Sequence, residues 1–371
     1  MQTNSTYHII IVGGGLAGLV AASELGKKHK VLLLEKDTYP RHRVCGEYVS
    51  NEVLPYLQTL GINPIANGAK EINTFQISTH DGKLISSPLP LGGFGMSRFA
   101  LDNLLFKKAK EVAKVTFETC TEIVFEKDLF AVTTKEGRQY SANYVVGAFG
   151  KRSNLDKALT RNFMQEKSPW LAVKAHYQYN FEDNVVALHN FEGGYCGLSK
   201  TETNAVNACY LTTYNSFKKV KNVIEFQQKV MSRNPFLAEF FQKANPLFDE
   251  PLTISQISFE TKAPVENHIF MIGDAAGLIH PLCGNGMAMA IHSGKLLSEV
   301  LLQKDLKNRA ALEKEYATIW SQTFSGRLKT GRRIQGLLLR PTVAKAGASI
   351  AKMFPSIVSK IIEKTHGDVV I

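Results

Sequence analysis

Gly13, Gly15 and Gly18 stand in the spacing Gly-x-Gly-x-x-Gly directly after the apolar run His8 to Val12. In that setting the first glycine permits a tight turn, the second lets the backbone approach a pyrophosphate, and the third lets a helix pack closely on the strand. The uncovered amides and positive dipole end of the helix that follows attract phosphate. Alone the pattern is weak, because a structural turn can have the same composition. Glu35 strengthens it: 20 residues beyond Gly15, at the end of the apolar run VLLLEK, its carboxylate can accept both ribose hydroxyls and would repel a 2′-phosphate. The spacing therefore predicts NAD or FAD rather than NADP.

A second group lies about 240 residues downstream, where HIFMI delivers the chain to Gly273-Asp274 among small residues. An aspartate there can accept a hydrogen bond from a sugar or ribityl hydroxyl, or serve as an ordinary helix N-cap. Beyond it, Cys283-Gly284-Asn285-Gly286-Met287 opens a helix whose free amides could stabilise negative charge on a ring carbonyl.

These groups need elements to bring them together. Strand, Gly-rich turn, helix and strand within the first 36 residues form the unit of a doubly wound parallel sheet. A helix is expected from Arg98 to Ala113, then strands at 114–125, 129–134 and 138–146 as a β-meander. Residues 71–86 read as short strands about the Asp81-Gly82 turn. From 169 to 213 the pattern is strand and turn, with helices near 221–243 and a strand near 252–260. A long helix spans about 285–303, and the remainder is helical, with Pro355 dividing it. The expected fold is α/β, a Rossmann-like nucleotide domain built from 1–70, 98–165 and 262–305. An antiparallel α+β substrate domain takes 71–97 and 166–261, and 306–371 forms a helical basic C-terminal segment.

GGGLAG with Glu35, Arg98 in GMSRFALDNLLFKKA, GDAAGLIHPLCGNGMAMAI and RVCGEYVS together resemble the p-hydroxybenzoate hydroxylase superfamily of flavoproteins, and within it the geranylgeranyl reductase-like branch. The resemblance implies FAD, with Gly13, Gly14, Gly15, Ala17 and Gly18 at the pyrophosphate and Glu35 at the adenosine ribose. Arg98 would lie near the pyrophosphate and ribityl chain, Gly273 and Asp274 on the ribityl side, and Cys45, Gly284, Gly286 and Met287 close to the flavin ring. Where the superfamily carries an Asp-Gly motif, this chain has Phe149-Gly150. Direct reduction by NAD(P)H is thereby in question, and a separate electron donor stays open. No second Gly-x-Gly-x-x-Gly domain exists, which excludes the disulfide-reductase architecture.

Several features carry less. Cys45 and Cys283 could approach the ring, but a lone cysteine is most often a small buried hydrophobe. His280 and His292 are given no role, and no catalytic residue is assigned. Tyr177, Tyr179, His189, Phe191, Tyr195 and Tyr210 mark an aromatic sheet that is either core or the wall of an apolar substrate site. Five widely spaced cysteines without a C-x-x-C pair indicate neither a disulfide framework nor a metal site.

With 371 residues, 44% apolar and 21% charged, the chain is an ordinary globular sequence. Its start lacks a secretory pattern and no long uninterrupted apolar window occurs, so a cytoplasmic protein, peripheral to the membrane at most, is expected. The net charge of +11 does not point to nucleic acid, because Arg327 to Lys364 holds nine Lys and Arg against one Glu, a net +8. Within that stretch Lys345, Ser349, Lys352, Ser356 and Lys360 share one helical face, and Val343, Ile350, Met353, Ile357 and Ile361 the other. Such a tail fits a membrane surface, an acidic carrier protein, or simply a solvated outer face.

The expected function is an FAD-dependent oxidoreductase acting on a lipophilic, aromatic or carrier-bound molecule. Double-bond reduction by hydride transfer and monooxygenation through a flavin hydroperoxide need the same scaffold. A flavin-dependent halogenase fed by a separate reductase ranks below these, since the Trp-x-Trp-x-Ile-Pro pattern is absent. A non-enzymatic basic binding protein on a nucleotide fold ranks lower still.

Overall fold

The computed structural model describes residues 5–165, 167–304, 306–338 and 356–371. The β-branched run in the first strand, Ser5–Val12, is buried on both faces from Ile9 to Val12. That is the environment of a central parallel strand. It pairs in parallel with Val31–Glu35 on one side and Gln139–Gly147 on the other. Lys114–Phe117 adds outside Val31–Glu35, and Ile269–Met271 adds in parallel beyond Gln139–Gly147.

The register brings the chemistry to one edge. Val12 lies opposite both Leu34 and Gly147, and Met271 lies opposite Gly147. The glycine turn, Glu35, Phe149 and Gly273-Asp274 therefore all leave the sheet at the carboxyl ends of its strands. In open α/β sheets that edge is where ligands bind.

The segment 114–125, expected as one strand, is two. Lys114–Phe117 joins the parallel sheet, whereas Cys120–Glu126 starts the meander that continues through Leu129–Thr134 to Gln139–Gly147. The division falls at Glu118, whose buried carboxylate is drawn to Arg138 and the Tyr140 hydroxyl. The helix Arg98–Val112 begins on a Ser97 cap that accepts the Ala100 N–H.

Among the described residues the second sheet has nine strands, all antiparallel except for the pairing of Val185–Phe191 with Lys70–Ser78. Tyr48–Ser50, arriving from the nucleotide-binding part of the chain, forms an edge of this sheet by pairing with Leu84–Gly95. Trp170–Gln178, Val206–Thr213 and Gly194–Lys200 form its centre. Val223–Lys229 and Pro235–Lys243 are separate helices, because Asn234 caps the second while its amide donates to Ser78 Oγ.

Candidate active site

One cavity of about 1940 Å³ runs from the carboxyl edge of the parallel sheet to the second sheet. Gly13, Gly15, Ala17, Glu35, Cys45, Arg98, Gly273, Asp274, Gly284, Gly286 and Met287 line it. Gly14 and Gly18 stand behind this wall and shape it. Gly13 has φ +109°, and a Cβ there would run into the Ala148 carbonyl, while a Cβ at Gly18 would strike the carbonyl of Gly13 itself. Gly15 is different: a Cβ there would meet only the Arg98 guanidinium, at 3.9 Å. It caps the helix Leu16–Leu25 without a side-chain bond, so the first amides face the cavity unclaimed.

Glu35 Oε2 accepts the Gly14 N–H at 2.7 Å and pairs with Arg41 at 2.9 Å and Arg43 at 3.3 Å. The acid is thus fixed against the turn, and the two arginines offset its charge. Arg98 is held in a two-pronged pair with buried Asp102, at 2.6 and 2.8 Å.

On the other side, Gly273 adopts φ +59° and donates to Ser293 Oγ at 2.7 Å. Lys262, to which sequence reasoning assigned nothing, bolts this arm to the neighbouring loop. Its ammonium donates to the backbone carbonyls of Asp274 and Lys151, both at 2.8 Å, and burial pushes its pKa down to about 8. Phe149 folds its ring over Gly147, whose Cβ would meet it at 2.8 Å. The helix Gly286–Gln303 starts without a side-chain cap, because the Asn285 amide is turned away to Glu52 and the Thr365 carbonyl.

The second sheet closes the cavity with one face, and the period-2 alternation of its strands divides that face in two. Across the cross-strand pairs Lys174–Cys209, His176–Asn207 and Asn207–Ser199 the face is polar, and it grips the loop Cys45-Gly46-Glu47. Asn207 donates to the carbonyls of Cys45 and Gly46 at 3.2 and 2.9 Å. Glu47, fully buried and in the left-handed region at φ +56°, pairs with Lys174 at 2.5 Å and His176 at 2.6 Å, and accepts the Arg98 N–H at 2.8 Å. Sequence reasoning missed Glu47. Its partners lie 127 and 129 residues away, and nothing local marks it. His42, Glu47 and His176 could gather a cation by distance, but the Lys174 ammonium already neutralises that carboxylate.

Further along the same face the side chains are apolar or aromatic: Trp170, Ala172, Leu211, Leu188, Ile77 and Phe75. Tyr195 belongs here, whereas Tyr177, Phe191 and Tyr210 point to the opposite face and pack beneath the helices there. The expected aromatic stripe is thus split between core and cavity. His280 lines the cavity between Trp170, Tyr195 and Phe259, and burial pushes its pKa down to about 3, so it is neutral. Burial likewise pushes the Cys283 thiol up to about 12, far from the thiolate a redox role requires.

The C-terminal helix Ser356–Thr365 covers the mouth, contributing Val358, Ile361, Ile362 and Thr365 to the lining, and His366 just after it adds to them. Most of the expected amphipathic tail, residues 339–355, lies outside the described residues. Of its described part, Lys360 and Lys364 are exposed while Ile362 packs near Leu89 and Ile72. Buried Glu52 ties the cover down: it binds Arg327 at 3.1 Å, Asn285 at 3.2 Å and the Gly367 N–H at 2.6 Å, and its carbonyl accepts the Val370 N–H. Deleting 356–371 is expected to cost about 3 kcal/mol or more, from losing the burial of Ile362 and Val370 and uncovering Leu89 and Ile72 beneath them, read as a lowered urea midpoint. Among the described residues no helix is long and apolar enough to cross a membrane.

The cavity has the donors and shape that a flavin dinucleotide needs: unclaimed helix amides, an acid at the turn, an arginine between, and glycines where a Cβ would intrude. Comparison with known proteins agrees. A family model described as FAD binding domain matches residues 6–312. Conditioned medium factor receptor 1 of Dictyostelium discoideum is 24% identical, over 93% of this chain and 74% of its own. Menaquinone reductase of Mycobacterium tuberculosis is 21% identical, over 92% and 86%. A digeranylgeranylglycerophospholipid reductase of Methanocaldococcus jannaschii is 25% identical, over 86% and 84%. Among solved structures, flavin-dependent brominase Bmp2 superposes with a TM-score of 0.77 at 18% identity, over 97% of this chain and 93% of that one, a likeness of fold. The chain belongs to the FAD-binding domain family, as a flavin-dependent oxidoreductase whose cofactor is FAD and whose fold is of the p-hydroxybenzoate hydroxylase type.

Proposed function

We propose that this oxidoreductase reduces a carbon–carbon double bond in a long lipophilic molecule of isoprenoid type. The observation that carries the reading is the apolar wall of the substrate half, from Trp170 and Leu211 to Phe75, covered by an apolar helix face. At about 1940 Å³ the cavity is about twice the upper end of ordinary small-molecule pockets, room for a dinucleotide and a second large ligand together. The relatives named for reducing menaquinone and digeranylgeranylglycerophospholipid support a substrate of this class.

In this reading the glycine turn, Ala17 and Arg98 hold the pyrophosphate, Glu35 the adenosine ribose, and Asp274 the ribityl chain. Gly284, Gly286 and Met287 present the amides of their helix to the ring, and Lys262 keeps Asp274 in place. When bound and reduced by an electron donor, FAD would supply the hydride. The protein binds the alkene beside it, excludes water with the C-terminal helix, and orients the chain along the apolar sheet face. The exposed Lys360 and Lys364 on that cover support peripheral contact with an anionic membrane surface, from which such a substrate would enter.

The test is anaerobic turnover with digeranylgeranylglycerophospholipid, using NADH, NADPH or dithionite as reductant. Reoxidation of the flavin without air, with the lipid gaining two hydrogens by mass, is the expected result. A substrate altered only after air is admitted, gaining an oxygen atom, would overturn the reading in favour of monooxygenation.

A further inference from the structure

Within the apolar half of the cavity the Tyr195 phenol stands beside the neutral His280 ring, 6.0 Å away between centroids. Tyr195 is 8% exposed and lies on the cavity-facing side of its strand, and among the described residues its buried hydroxyl has no hydrogen-bond partner. Its cross-strand neighbour is Leu211, and the rings of Trp170 and Phe259 share its hydrophobic cluster. A buried O–H with no acceptor carries a desolvation cost that phenylalanine at the same place would not, so its presence calls for an acceptor from outside the chain.

We propose that Tyr195 is a specificity-determining residue whose hydroxyl donates a hydrogen bond to a carbonyl oxygen on the otherwise hydrocarbon substrate. The inference rests on the lipophilic reading above and narrows it: a pure polyene offers no acceptor, whereas a quinone or ketone does. Burial holds the phenol far above its ordinary pKa, so it is a donor throughout the physiological range. The His280 ring, on the loop that leads to the helix Gly286–Gln303, stands 6.0 Å from that of Tyr195, which places the donor between the substrate sheet and that loop. The carbonyl end of the substrate would therefore sit deep, with its hydrocarbon remainder directed toward the helix-covered mouth.

The experiment is equilibrium dialysis of oxidised, FAD-loaded protein and its Tyr195→Phe variant against two probes of similar size. 2-Methyl-1,4-naphthoquinone carries carbonyl oxygens, and 2-methylnaphthalene carries none. The variant is expected to bind the quinone about tenfold more weakly and the hydrocarbon within twofold of the parent, since one hydrogen bond is lost from one ligand only. Its thermal midpoint and flavin content should match or exceed the parent's. An equal loss for both probes, no loss for either, or a lowered thermal midpoint with unchanged selectivity would overturn the assignment. Because no turnover is involved, failure here leaves the double-bond reductase reading standing, and failure of turnover leaves this result readable.

Discussion

Gly13→Ala should purify colourless and resist reconstitution, with FAD affinity reduced by two orders of magnitude or more. Two effects coincide. The residue sits at φ +109°, where an L side chain is strained by about 1–3 kcal/mol, and the new methyl would collide with the Ala148 backbone carbonyl. Because Ala148 N–H in turn bonds the Val12 carbonyl, relief by movement would separate the two strands that shape the cradle. The ratio of flavin to protein absorbance after gel filtration reads the outcome. Gly326→Ala is the control, since that glycine is helical and a Cβ there meets nothing within 4 Å. It should keep its FAD and gain up to about 1 kcal/mol in stability.

Glu47→Gln is expected to destabilise the protein by about 3–5 kcal/mol and to loosen the Cys45-Gly46 loop. It leaves the Lys174 ammonium buried with no counter-charge, which costs more than the ion pair itself contributes. The double variant Glu47→Gln, Lys174→Met should recover much of the loss, and urea midpoints for the four proteins give the coupling. The acid limb follows the same logic. Burial alone would raise the Glu47 pKa, but the hydrogen bond from His176 and the charge of Lys174 outweigh it and hold the carboxyl below its ordinary value. The stabilisation is therefore fully present above the unfolded-state pKa, about 4.3, and is lost as pH falls through the lower folded value. The parent should lose stability steeply below about pH 4, and Glu47→Gln less steeply.

What could be read from the sequence was what acts locally. Gly13 to Gly18 and Glu35 lie within one strand–turn–helix–strand unit, and Gly273-Asp274 follows its own buried strand, so residue type and spacing suffice to single them out. The strand division at Glu118 was not legible, because it depends on Arg138 and Tyr140 reaching back from a later strand. Lys262 and Glu47 escaped for the same reason. One joins the nearby Asp274 carbonyl to that of Lys151, 111 residues away, and the other acts on side chains more than 120 residues away. Tyr195 and Tyr210 look equivalent in sequence, and only the register Cys196 opposite Tyr210 puts them on opposite faces. The C-terminal helix reads as an amphipathic surface element until Glu52, through Gly367 and Val370, is seen to draw it over the cavity.

Amide hydrogen exchange with and without one equivalent of FAD puts the converging cradle to its most direct trial. Slowed exchange is predicted together in 13–18, 45–47 and 273–287, saturating at one FAD per chain, with the far-face helices Val223–Lys229 and Pro235–Lys243 unchanged. Protection confined to the first of these stretches, or spread evenly over the chain, would contradict a single dinucleotide held by all three.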